Sequence, residues 1–232
     1  MATLLRRLVG RGAAAGAALL RPGAALPFDD LAGTPLEAVA DNYLAIITGN
    51  RLFSSTGSAL VLRPGLAVSS AHVVGRIPRV TALGRRGPVE LRLLRQSRWM
   101  DLALLAVDEP FGRVLTLGRA APGQPVWSMG TTSRPWLPPI AAGRVETDRA
   151  TAWLAAPDGA RHDGLMYAAE AGPGYSGGPV VDAAGALVGL TEGIYVDLTG
   201  ESPAAWPRLP RLFAYHAAAV AAEAALLQMQ TI

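Results

Sequence analysis

Cysteine and lysine are both absent from this 232-residue chain. Without cysteine there is no disulfide framework, no thiolate metal site and no cysteine nucleophile. That removes the disulfide-dense secreted enzymes of animal type. The missing lysine leaves 21 arginines as the whole basic complement, a GC-rich and bacterial coding bias without mechanistic meaning. Charge is also sparse, at 17% of residues against the usual ~25%. Long apolar runs are lacking: no stretch reaches the roughly 20 residues that span a bilayer. The nearest, 214–227, is alanine-rich but contains His216 and Glu223, so no integral membrane span is expected.

The formal net charge of +3 suggests a nucleic-acid partner until its distribution is considered. Residues 1–27 hold Arg6, Arg7, Arg11 and Arg21 and no acid before Asp29, leaving 17 arginines against 18 acids in the remainder. With no basic segment interleaved with aromatics either, nucleic acid is not an expected partner. The first twelve residues followed by the apolar run 13–20 have the outline of a signal peptide, interrupted by Arg21 and Pro22. Export to the periplasm or medium is expected if 1–27 serve that purpose, and a cytoplasmic location otherwise.

Glycine and proline are plentiful, 26 and 18 residues, and they cut the chain into short apolar or alternating runs. A first set falls at 43–48, 58–62, 66–69, 79–83, 89–94 and 102–107. After a Pro/Gly-containing linker at 118–124, a second falls at 125–129, 140–146, 152–155, 165–168, 179–181, 186–191 and 194–198. Short strands at this spacing predict antiparallel barrels or sandwiches, and two comparable sets predict two small barrels. The proline-rich stretch 201–210 breaks the pattern, and 211–229 is alanine-rich enough to predict a terminal helix. The expected organisation is a leader at 1–30, an N-terminal barrel at 31–118, a C-terminal barrel at 119–200, and a proline-rich segment with a helix at 201–232. No peptide-binding module is expected after the barrels.

The chemistry concentrates in three motifs. Gly174-Tyr175-Ser176-Gly177-Gly178-Pro179 boxes a serine between glycines and runs into an apolar strand, as a nucleophile on a tight turn requires. Ser69-Ser70-Ala71-His72-Val73-Val74 supplies an imidazole, and Trp99-Met100-Asp101-Leu102-Ala103 a carboxylate at the head of an apolar strand. A serine hydroxyl attacks poorly until a base takes its proton. His72 is the base available near neutral pH, and a buried Asp101 would fix its tautomer and stabilise its cation. Each motif alone also fits a hairpin turn, a structural histidine or a strand-end acid. The order His72, Asp101, Ser176 is what makes an assembled triad the expectation. An α/β-hydrolase elbow would need the acid and base after the serine, from Asp182 or Asp197 and His216. The glycines and valines after Ser176 predict a strand there, not the required helix. His162 and His216 have no metal-ligand company, so neither a metal nor another cofactor is expected.

Taken together, the motifs resemble the trypsin-like serine proteases, closest to the bacterial HtrA-type branch without a PDZ module, over residues 50–200. The resemblance implies an all-β fold of two antiparallel β-barrels with a C-terminal helix. It implies a serine endopeptidase acting on protein or peptide substrates through an acyl-enzyme, with catalytic His72, Asp101 and Ser176. The N–H groups of Gly174 and Ser176 would form the oxyanion hole. Glu170 would lie at the floor of a pocket for a basic side chain. Thr191, Glu192 and Gly193 would pair with substrate backbone by strand addition. Tyr175 departs from the family's Asp or Asn at that position and is expected to close over the cleft and slow acylation. The family leaves monomer and homotrimer both open. The alternative function is a latent or inactive protease-like fold acting as a peptide- or protein-binding module.

Overall fold

The computed structural model describes residues 31, 35–49, 54–108, 112–131, 139–153, 161–194 and 209–230. The leader 1–30 and Asp197 lie outside them. Twelve strands form two closed antiparallel barrels.

The first barrel uses β1 (Tyr43–Gly49), β2 (Ser54–Arg63), β3 (Leu66–Ser69), β4 (Arg79–Gly84), β5 (Gly87–Gln96) and β6 (Ala103–Val107), in the spatial order β1-β2-β3-β6-β5-β4. Its sequence shows why. In β4, Val80 and Ala82 are buried between exposed Arg79 and Thr81, the period-2 signature of a half-buried strand. β3 is buried along its whole length because β2 and β6 flank it at the barrel interface. The β2–β3 turn relies on Gly65 at φ +82°, a conformation that costs other residues strain. Leu44, Ile46, Val61, Val80, Leu91 and Leu105 fill the interior.

The second barrel uses β7 (Pro125–Met129), β8 (Ile140–Trp153), β9 (Arg161–Ala169), β10 (Pro179–Val181), β11 (Leu187–Ile194) and β12 (Arg211–His216), ordered β10-β11-β12-β9-β8-β7. β12 corrects the expected start of the terminal helix. Its residues pair on one side with β11 (Leu190↔Tyr215) and on the other with β9 (Leu165↔Ala214), closing the barrel. Backbone groups on β9 and β11 that would otherwise be buried unpaired override the local helix propensity. The helix begins only at Ala217.

Three helices complete the described fold: α1 (Glu37–Ala40), α2 (Ala71–Val74) and α3 (Ala217–Met229). A mixed cluster of Leu60, Val68, Leu102, Leu104, Leu190 and Phe213 joins the two barrels, and Val220, Ala224 and Leu227 of α3 pack on it. The alanines of α3 allow this close approach. Among the described residues, no helix is long and apolar enough to cross a membrane.

Candidate functional site

The three motifs converge where the barrels meet. His72 sits on α2, a single turn anchored by buried Val73 and Val74, so its own side chain stays 46% exposed toward the cleft. Asp101 lies at the end of the loop between β5 and β6. That loop is shaped by Ser97, whose Oγ accepts from the N–H of Trp99 and of Met100, each at 3.0 Å. Buried Met100 and Leu102 hold it against the barrel interface. The Asp101 N–H donates to the Tyr215 hydroxyl at 2.9 Å. One Asp101 oxygen accepts the His72 backbone N–H at 2.9 Å, and the other is hydrogen-bonded to His72 Nδ1. That ring bond is the main cause of a raised His72 pKa. Burial opposes it, and the charges of Asp101 and Glu192 add to it.

Glu192 enters the same cluster from the second barrel. The β11–β12 register shifts between Thr191 and Gly193, so Glu192 is the bulged residue between them. A bulge re-aims a side chain. Here it accompanies a carboxyl that is only 8% exposed. Burial pushes Glu192 up to about 7. The negative charge of Asp101 and a hydrogen bond to it act in the same direction, against the lowering effect of His72. Ligand atoms of His72, Asp101 and Glu192 all lie within 4.8 Å of one another.

The Ser176 loop is tightly bound to its surroundings. Ser58 N–H donates to Ser176 O at 2.8 Å, Gly177 N–H to Thr191 O at 2.7 Å, and Gly178 N–H to Tyr175 O at 2.8 Å. The Gly174 carbonyl accepts both Thr131 N–H (3.0 Å) and Ser58 Oγ (2.9 Å). Beneath it, the buried Tyr43 hydroxyl bonds Ser58 Oγ at 2.9 Å and Thr131 Oγ1 at 2.6 Å. Gly174 and Gly177 take φ of +103° and +82°, which glycine adopts without strain. The N–H groups of Gly174 and Ser176 make no hydrogen bond to another described residue.

Several expected roles change. Tyr175 does not close over the cleft. It is fully buried in the core of the second barrel and faces Gly130, where a Cβ would stand 2.3 Å from the Tyr175 ring. Glu170, exposed at the end of β9, is not among the residues brought to the His72–Asp101–Glu192 cluster. The backbone N–H and C=O of Thr191 are both engaged by the serine loop, its N–H donating to Gly178 O at 2.8 Å. Its Oγ1 bonds the Tyr167 hydroxyl at 2.9 Å. Gly193 is half-exposed, with nothing within 4 Å of where a Cβ would stand. Tyr215, Tyr43, Ser58 and Thr131 support the site but carry no recognisable local motif; Tyr215 is hidden by the helical look of its segment.

The larger correction concerns Ser176. Among the described residues no hydrogen bond joins its hydroxyl to His72. The imidazole instead belongs to a cluster with Asp101 and Glu192. A serine hydroxyl without a base to receive its proton is not an activated nucleophile. The fold therefore does not assemble the expected His72–Asp101–Ser176 catalytic triad. The serine endopeptidase activity, acyl-enzyme route and proteolysis inferred from it are not supported by this geometry.

No curated protein sequence matches the chain. Among solved structures it is similar to the Rv3671c protease in its inactive form, with 21% identity, TM-score 0.67, and coverage of 90% of this chain and 99% of that one. The active form of the same protease from M. tuberculosis is also similar, at 21% identity, TM-score 0.67, and 89% and 92% coverage. So is the HtrA-type protease AlgW with a decapeptide, at 18% identity, TM-score 0.67, and 85% and 67% coverage. At such identities the likeness establishes the fold, and it extends to active and inactive forms alike. Residues 57–190, more than half of the chain, match the trypsin-like peptidase domain. Two six-stranded antiparallel barrels and this sequence match agree: the chain belongs to the trypsin-like peptidase domain family.

Proposed function

We propose that this protein is a latent or non-cleaving protease-like fold that binds peptide or protein segments in the cleft between its barrels. The observation that carries this is the company of His72: its imidazole is bonded to Asp101 with Glu192 alongside, and among the described residues no hydrogen bond joins it to the Ser176 hydroxyl.

A binding role uses the features the cleft retains. An extended segment laid along β11 at Gly193 gains main-chain hydrogen bonds by strand addition. The absence of a side chain at Gly193 lets that backbone approach closely. A peptide carbonyl or terminal carboxylate would find the N–H groups of Gly174 and Ser176, which a fully bonded loop holds in place. Preorganisation of this kind favours binding because little entropy is lost on association. Above its raised pKa of about 7 the ionised Glu192 adds negative charge beside Asp101, which favours segments with arginine or lysine.

The test combines two measurements on the full chain. A fluorophosphonate probe is applied and any adduct located by peptide mass, with His72→Ala as control. Fluorescence anisotropy is then measured with labelled basic and acidic peptides. The expected outcome is no His72-dependent adduct at Ser176, with saturable binding stronger for basic peptides. Labelling at Ser176 that needs His72, accompanied by peptide hydrolysis, would overturn the proposal, as would a folded protein that binds neither peptide. Light scattering on the same samples decides between monomer and homotrimer.

A further inference from the structure

Asp101 and Glu192 are 3% and 8% exposed, and their carboxyl groups face one another across the junction of the two barrels. Two carboxylates withdrawn from water at this separation require a cation or a shared proton. No arginine supplies one: among the described residues the arginine ion pairs go to Asp41 and Glu146. Glu192, more than nine-tenths buried, has Asp101 as its hydrogen-bonding partner, another acid. The remaining group in the cluster is the His72 imidazole, whose outer side is open to the cleft.

An imidazole nitrogen and two carboxylate oxygens form a three-donor N/O set. Such a set suits a borderline cation, with a fourth position left for water or a ligand. We propose that His72, Asp101 and Glu192 form a binding site for a divalent transition-metal ion, Zn²⁺ by the nature of its donors, which ties β11 of the second barrel to the first barrel. Around a tetrahedral zinc, donors at about 2.0–2.2 Å from the ion lie roughly 3.3 Å apart. The three present donors fall within 4.8 Å of one another, so ligation requires them to close in on the ion by side-chain rotation. The His72–Asp101 hydrogen bond opens as the ion takes its place. The half-exposed ring is the member free to turn, while the bulge at Glu192 sets the direction of the third donor. The site does not depend on peptide binding, so either proposal can fail without the other.

The full-length protein, freed of metal by chelation and then dialysed, is titrated with zinc chloride by isothermal calorimetry. Thermal unfolding is followed in parallel. One ion per chain and a rise in melting temperature are expected, since a ligand bound only by the folded state stabilises it. Glu192→Gln and His72→Ala should each weaken binding at least tenfold and abolish the thermal shift. His162→Ala and His216→Ala should bind zinc as the parent does. His72 is half-exposed, so its variant folds independently of how the buried position responds to change. Absence of saturable binding by the folded parent, or parent-like affinity in either ligand variant, overturns the assignment.

Discussion

Replacing Glu192 by glutamine should change how stability depends on pH, in a direction fixed by the site's electrostatics. The Glu192 carboxyl is raised from its ordinary 4.5 to about 7, first by burial and next by Asp101. A folded-state pKa above the unfolded value means that the folded protein holds a proton the unfolded chain has released. The stabilising contribution is therefore complete below pH 4.5 and is lost as pH rises through about 7. Each pKa unit corresponds to about 1.4 kcal/mol, so the full displacement caps the loss at about 3 kcal/mol. His72 is also raised, and it adds a loss of the same sign above its own ordinary value. Glutamine cannot ionise but keeps the shape and can donate to Asp101. The variant should match the parent at the acid end of the window, show a flatter profile through it, and exceed the parent above it by up to about 3 kcal/mol. Urea unfolding in chelated buffer, stepped across the window, measures this with protons as the only ligand in play. Parallel profiles for parent and variant would refute a buried, proton-dependent Glu192.

Gly177→Ala should destabilise the fold by about 3 kcal/mol, because a left-handed conformation is costly for alanine and the site is already close-packed. Its new Cβ would stand 2.0 Å from the Ser58 carbonyl oxygen, a backbone atom that cannot move aside, and chemical denaturation reads the loss. Tyr43→Phe strips a buried hydroxyl from Ser58 and Thr131; a loss of roughly 1–3 kcal/mol is expected, with faster hydrogen exchange at Ser58 and Thr131. Tyr215→Phe leaves the Asp101 N–H without its acceptor, and the His72 ring should titrate nearer its ordinary value when followed by NMR, with an unchanged midpoint counting against Tyr215 as a positioning residue.

The barrels were legible in the sequence because their strands announce themselves locally. β4 alternates buried and exposed residues, β3 and β6 are short apolar runs, and the β2–β3 connection carries Pro64-Gly65. The meeting of His72 with Asp101 was legible too, since each motif stands at the head or tail of such a strand. β12 was not, because Leu-Phe-Ala-Tyr followed by alanines fits a helix until β9 and β11 are seen to lack a partner. The inward turn of Glu192 was equally hidden. It depends on a bulge, and a bulge is a mismatch between two strands that neither strand records alone. Whether the Ser176 hydroxyl bonds the His72 ring depends on the relative placement of loops from two barrels, which motif order leaves open.

The serine loop and the acidic cluster meet different physical demands, and the contrast bears on how the cleft works. The loop is internally satisfied: its glycines take the conformations they favour, and its carbonyls are bonded to both barrels. Its geometry is consequently fixed before any ligand arrives. The cluster depends on protons: Asp101 belongs to the first barrel and Glu192 to the second, and once Glu192 ionises, like charges resist the docking of one on the other. Any cation that neutralises the pair, whether a proton, a metal ion or a basic side chain, strengthens the junction between the barrels. Linkage makes the effect reciprocal, so a cation that binds only the docked pair opposes the separation of the barrels that meet at Leu102, Leu190 and Phe213. The charge of the cleft and the stability of the two-barrel fold are thus one equilibrium, with Glu192 as the residue through which each acts on the other.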